Sequence, residues 1–139
     1  MWVVYLYHDV DVVEIRLTVE NPGFRGTADV YVGTGGLLEA ASTLEGFPED
    51  RRDKRELVLG AAGKKFAGGS VRLEFYCNDL AGHTAFRAMI EGDYAGREMT
   101  ESATVIVDFE PAALDQFLVE LRQVERGHRG SASLITGTI

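Results

Sequence analysis

ESATVIVDFEPAALDQFLVELRQVERG, residues 101–127, carries the two periodicities that decide the architecture. Glu101, Ala103, Val105, Val107 and Phe109 alternate with Ser102, Thr104, Ile106 and Asp108. This is the pattern of an antiparallel strand buried on one side, with Ile106 the one apolar residue on the other. Pro111 suits a first helical turn, where its missing N–H would have had no partner. Leu114, Phe117, Leu118, Leu121 and Val124 then recur at helical steps and give one apolar stripe. Glu110 and Asp115 lie toward the positive end of the helix dipole, Arg122 and Arg126 toward the other, and Gly127 is the expected C-cap. A strand and a helix each apolar along one side predict a helix packed on a sheet.

The same alternation recurs upstream. Val71, Leu73, Phe75 and Cys77 alternate with Arg72, Glu74 and Tyr76, and after a turn at 79–82 residues 83–91 put Phe86, Ala88 and Ile90 on one face. GDYAG, 92–96, turns the chain into the strand at 101, so 70–109 reads as a three-strand antiparallel meander. In the N-terminal half a strand over 2–7 breaks at His8-Asp9. Val13, Ile15, Leu17 and Val19 then alternate with Glu14, Arg16, Thr18 and Glu20. Asn21-Pro22-Gly23 turns into a third strand at 27–32. The glycine-rich run 33–36 opens a helix over 37–46 with Leu37, Leu38, Ala41 and Leu44 as its stripe, and Gly46-Phe47-Pro48 stops it.

EDRRDKRE, 49–56, holds four acidic and four basic side chains and no apolar one, a solvated loop in which charge nearly cancels. A short strand is offered at 56–59, and 60–69 turns. Beyond the last helix, 128–139 is an edge strand or a flexible tail; its uncharged run 131–139 also offers a dimer contact. Strands in runs, rather than alternating with helices, predict one α+β domain over 1–139. Its expected form is a predominantly antiparallel sheet of six to seven strands with two helices packed on it, in the order βββα-βββ(β)-α.

A chain of 139 residues is long enough for a core without staples, and the lone Cys77 excludes an internal disulfide. The apolar start has no Lys or Arg before Arg16 and is interrupted at His8, so it reads neither as a signal peptide nor as a membrane span, and a cytoplasmic setting is expected. The net charge of −8 argues against binding nucleic-acid phosphates. From residue 91 onward, nine acidic residues face four basic ones, an acidic bias that either keeps the protein soluble or steers a basic partner.

No motif carries specific chemistry. Gly33-Thr34-Gly35-Gly36 sits where free N–H groups can hold an anion, but Leu38 stands where a dinucleotide fingerprint needs its third glycine; a glycine-permitted turn is the simpler account. Gly63-Lys64-Lys65 lacks the first glycine and the Ser or Thr of a phosphate loop. Cys77, Asp79 and His83 suggest a nucleophile or metal cluster, yet Cys77 is in register with core residues and Asp79 suits a hairpin turn. His8, Asp9 and Asp11 read as a polar turn, and His128 as a dipole partner at a helix end. No catalytic, cofactor or metal residue is assigned.

VRLEFYCNDLAGHTAFRAMIEGD and ESATVIVDFEPAALDQFLVELRQV, with LLEAASTLEGFP upstream, resemble small uncharacterised bacterial α+β proteins, of the general type found among polymorphic-toxin immunity proteins. The resemblance implies a compact binding module and carries over no catalytic residues; with the acidic bias, the expectation is a non-enzymatic binding protein, such as an inhibitor covering a basic protein partner with its acidic face. The contact residues expected from the charge pattern are Glu91, Asp93, Tyr94, Glu98 and Glu101, in and after the 92–96 turn. One alternative is a small-molecule-binding protein or enzyme whose pocket between sheet and helices is edged by Tyr31, Tyr76, Arg72, Arg87 and His83. Another is a structural subunit that oligomerises through 131–139.

Overall fold

Alternating burial runs through strands at 25–33, 54–60 and 102–109 of the computed structural model, which describes residues 1–79, 81 and 83–136. Strands β1 (Trp2–His8), β2 (Val12–Glu20) and β3 (Arg25–Gly33) precede helix α1 (Gly36–Leu44). Strands β4 (Lys54–Gly60), β5 (Ser70–Cys77), β6 (Thr84–Glu91) and β7 (Ser102–Phe109) precede α2 (Pro111–Gly127), and β8 (Ser131–Ser133) follows it. The α+β class and the two helices stand as read from the sequence. The single sheet does not.

The strands form two four-stranded antiparallel sheets, ordered β3-β2-β1-β8 and β4-β5-β6-β7. The reason lies at β3, which crosses the end of the second sheet instead of pairing with it. Gly26 sits against Ile90 of β6 and Ala103 of β7, Ala28 against Gly69 before β5, and Val30 against Gly60 of β4. The Gly69 N–H donates to the Asp29 carbonyl at 2.8 Å, occupying the edge of β3 where a further strand would have paired. Side chains have no room at this crossing. A Cβ on Gly69 would overlap the Glu91 carbonyl, and Gly60, at φ +80°, would drive one into the Gly69 carbonyl. Alternation says that a strand buries one face; it does not say whether two buried faces belong to one sheet or to two.

Val13, Ile15, Leu17, Val30, Leu73, Phe75, Phe86 and Val107 from the two sheets meet the α2 stripe in one core. Leu114, Phe117, Leu118, Leu121 and Val124 are all buried, and Ile106 is exposed, as the periodicities required. Phe47, Phe75, Phe86 and Phe109 form an aromatic group with ring centroids 5.3–6.4 Å apart. Such pairs add to what burial alone contributes.

Four local readings change. The loop expected at 49–56 ends early, because Lys54, Arg55 and Glu56 begin β4 and extend the meander to four strands. In α1, Ala40 rather than Leu38 completes the buried stripe. The left-handed residue closing α2 is His128 (φ 48°), not Gly127, with its N–H on the Val124 carbonyl. The tail supplies a short edge strand, β8, on β1; residues 137–139 lie outside the described set, as do Leu80 and Gly82 in the 79–82 turn.

Candidate functional site

Of the acidic residues picked out, Asp93, Glu98 and Glu101 lie on the β6–β7 connection, which is held by internal hydrogen bonds. Gly92 N–H donates to the Glu101 carbonyl (2.9 Å), the Thr100 hydroxyl to the Asp93 carbonyl (3.0 Å), and Ala95 N–H to the Asp93 carboxylate (3.0 Å). Tyr94 lies beside Glu91, whose carboxylate raises the phenol pKa. Glu98 pairs with Lys64, and Met99 at the tip is 80 % exposed. Four of the five expected contact residues therefore lie on this connection, Glu91 ends β6, and the five do not form one cluster. Asp93 and Glu101 line a cleft of about 370 Å³ with Arg25 and Arg97, while Glu98 is turned to the 61–69 connection.

Asp93 also reaches a second cleft, of about 410 Å³, over the outer face of β2 and β3. Glu14, Arg16, Asp29 and Tyr31 form its floor, with Gly68 and Gly92 at its wall. Arg16 holds Asp29 through two hydrogen bonds of 2.8 and 3.0 Å. The Tyr31 phenol is pushed above its usual range, first by Glu14, then by partial burial, Asp93 and Asp29. Carboxylates from β2, β3 and the β6–β7 loop thus bear on one aromatic ring. The periodic pattern gave no sign of this, because Glu14 and Asp29 read as the ordinary polar side of their strands.

The outer face of the other sheet is arranged differently. Arg72 pairs with Glu56 at 2.8 Å and reaches Glu74 at 3.6 Å, and Arg87 pairs with Glu74 at 2.6 Å. Of the residues expected to edge a pocket, Arg72, Tyr76 and Arg87 fall on this face, Tyr31 on the other sheet, and His83 on the hairpin turn. They do not surround a common cavity.

The remaining sequence candidates resolve into structural contacts. The Leu37 N–H at the start of α1 donates to Glu125 (3.1 Å), a carboxylate from α2 only 5 % exposed, so the anion place behind the glycine run is filled from within. Glu125 was missed because it follows Val124 beside an otherwise apolar stripe. Arg55 binds Asp53 at 2.8 Å and donates to the carbonyls of Thr43 and Glu45, closing the C-terminal end of α1; this holds the Asp53 carboxyl below its usual range. Asp79 accepts from the N–H groups of Ala81 and His83 and from the His83 ring at 2.6 Å, which lowers its pKa and raises that of His83.

Cys77 is half-buried with its thiol toward the Asp50 carbonyl, and burial raises its pKa. Asp9 accepts from Asp11 and Val12 in a polar turn. His8 stacks on His128 (3.8 Å between centroids) and meets the Tyr5 hydroxyl at 2.7 Å, fastening the end of α2 to β1. Residues 131–133 of the tail are engaged within the chain, on β1 and, through Ser133 N–H, on Glu120. Among the described residues no three or more His, Cys, Asp or Glu gather as metal ligands would, and no helix is long and apolar enough to cross a membrane.

No protein family, curated protein or solved structure matches the chain.

Proposed function

We propose that this protein is a non-enzymatic binding module that engages a basic protein partner, in the manner of an immunity-type inhibitor. The observation that carries the reading is the convergence of Glu14, Asp29 and Asp93 on Tyr31, three carboxylates from three elements with Arg16 the one cation lining that cleft among the described residues. A Lys or Arg entering there meets an aromatic ring and negative charge together, the setting that favours cation–π contact. Beside it, Asp93 and Glu101 share the neighbouring cleft with Arg25 and Arg97, and Tyr94 lies beside Glu91 at the end of β6. Steering by such a surface speeds encounter and makes it sensitive to salt.

The test is capture of the partner from native lysate on the immobilised protein, followed by association rates across ionic strength. The expected result is a fall in the rate constant of about tenfold from low to high salt. A rate that ignores salt, and ignores Glu14→Lys together with Asp93→Lys, ends this reading.

A further inference from the structure

Each sheet has two edge strands, and on three of the four one backbone group bonds to another part of the chain. The Asp29 carbonyl of β3 accepts from Gly69 N–H (2.8 Å), the Ile106 carbonyl of β7 from the Asn21 side-chain amide (2.9 Å), and Ser133 N–H of β8 donates to Glu120 (2.9 Å). Strand β4 differs. Among the described residues its backbone from Glu56 to Gly60 makes no hydrogen bond beyond its ladder with β5. An edge left open in this way is a template for another strand.

Beside that edge lies a cleft of about 450 Å³, walled on one side by α1 at Gly36, Glu39 and Thr43 and at one end by Tyr31 of β3. Leu57 and Val58 of β4 line it, Val58 being 54 % exposed. Glu39 is its one charged side chain among the described residues.

We propose that an extended segment of a protein partner, carrying a Lys or Arg opposite Glu39, pairs with β4 as a fifth strand of the meander sheet. Main-chain hydrogen bonds along β4 supply affinity, and Glu39 with the apolar wall selects the side chains. Tyr31 borders both this cleft and the acidic one, so a single partner spans the two; the inference rests on the reading of a basic partner. A second copy of the chain fits less well, since both copies carry a net charge of −8 and Glu39 needs a cation opposite it.

The probe is a capped hexapeptide of alternating lysine and valine, compared with the same peptide methylated on alternate backbone nitrogens. Amide shifts and hydrogen exchange of the whole protein are read. Slowed exchange within β4, binding weakened about tenfold by methylation, and a loss of about two- to fivefold in Glu39→Lys support strand addition. Several results overturn it. One is shifts confined to Glu14, Asp29 and Asp93 with β4 exchange unchanged, which leaves the acidic face standing. Another is no binding at millimolar peptide. A third is β4 protection that grows with protein concentration alone, which gives the edge to a second copy. Protection of β4 by peptide, together with a partner association rate that ignores salt, retains strand addition and removes the acidic-face reading instead.

Discussion

The two sheets bury their inner faces in one core, yet their outer faces carry charge in opposite ways. On β4–β7, Glu56, Arg72, Glu74 and Arg87 pair across neighbouring strands, so the face answers its own charge. On β2 and β3, Arg16 is committed to Asp29, and Glu14 and Asp93 are left around Tyr31 with no pairing cation among the described residues. Both faces look alike in composition. What separates them is the supply of cations: Arg72 and Arg87 answer the facing Glu56 and Glu74 on one sheet, whereas on the other Glu14 lies opposite Tyr31 and has no arginine of its own among the described residues.

The comparison is broken most severely by disturbing the crossing that holds the two sheets apart. Gly69→Ala, with its Cβ driven toward the Glu91 carbonyl, is expected to cost about 2–4 kcal/mol in urea unfolding. Gly33→Ala, where a Cβ meets nothing within 4 Å, stays within about 0.5 kcal/mol. Equal losses at both sites would show that the glycines at the crossing are not needed for close approach.

Next in size is the tie between the helices. Glu125→Ala removes the cap on Leu37 and is expected to lower stability by about 1–2 kcal/mol, seen as a drop in Tm, while Glu125→Gln keeps an acceptor and loses less. Smaller still is the contrast between the faces themselves. Glu74→Ala with Arg87→Ala should cost up to about 1 kcal/mol of stability and leave the partner's association rate unchanged. Glu14→Lys with Asp93→Lys should slow association and barely move Tm. A reversed outcome moves the binding face to the other sheet.

The smallest effect is in pH. The carboxylate of Asp79 raises the His83 pKa above 6.5, and the hydrogen bond from the His83 side chain lowers that of Asp79 below 3.8. The histidine contribution is full below 6.5 and is lost as pH rises through the raised folded value. The aspartate contribution is present above 3.8 and is lost as pH falls through the lowered one. The pair therefore acts fully between those limits. A titration of the His83 ring by NMR should return an elevated pKa that falls in Asp79→Asn; an unchanged value would mean that the turn does not hold the pair in solution.

Much of this was legible in the chain because period-two and helical spacings report which side of an element leaves water. Val105, Val107, Phe109 and the α2 stripe needed no partner to be named as core. The sites were far less legible. Glu125, Arg55 and His8 act on groups distant in sequence, and Glu14, Asp29 and Asp93 acquire meaning only when β2, β3 and the β6–β7 loop are brought together. The sequence by itself determined the class, the elements and their buried faces, since these follow from local spacing and the transfer of apolar side chains from water. The tertiary structure alone decided that there are two sheets and not one. That choice rests on backbone approach at Gly60 and Gly69 and on one hydrogen bond to Asp29, none of which leaves a periodic mark.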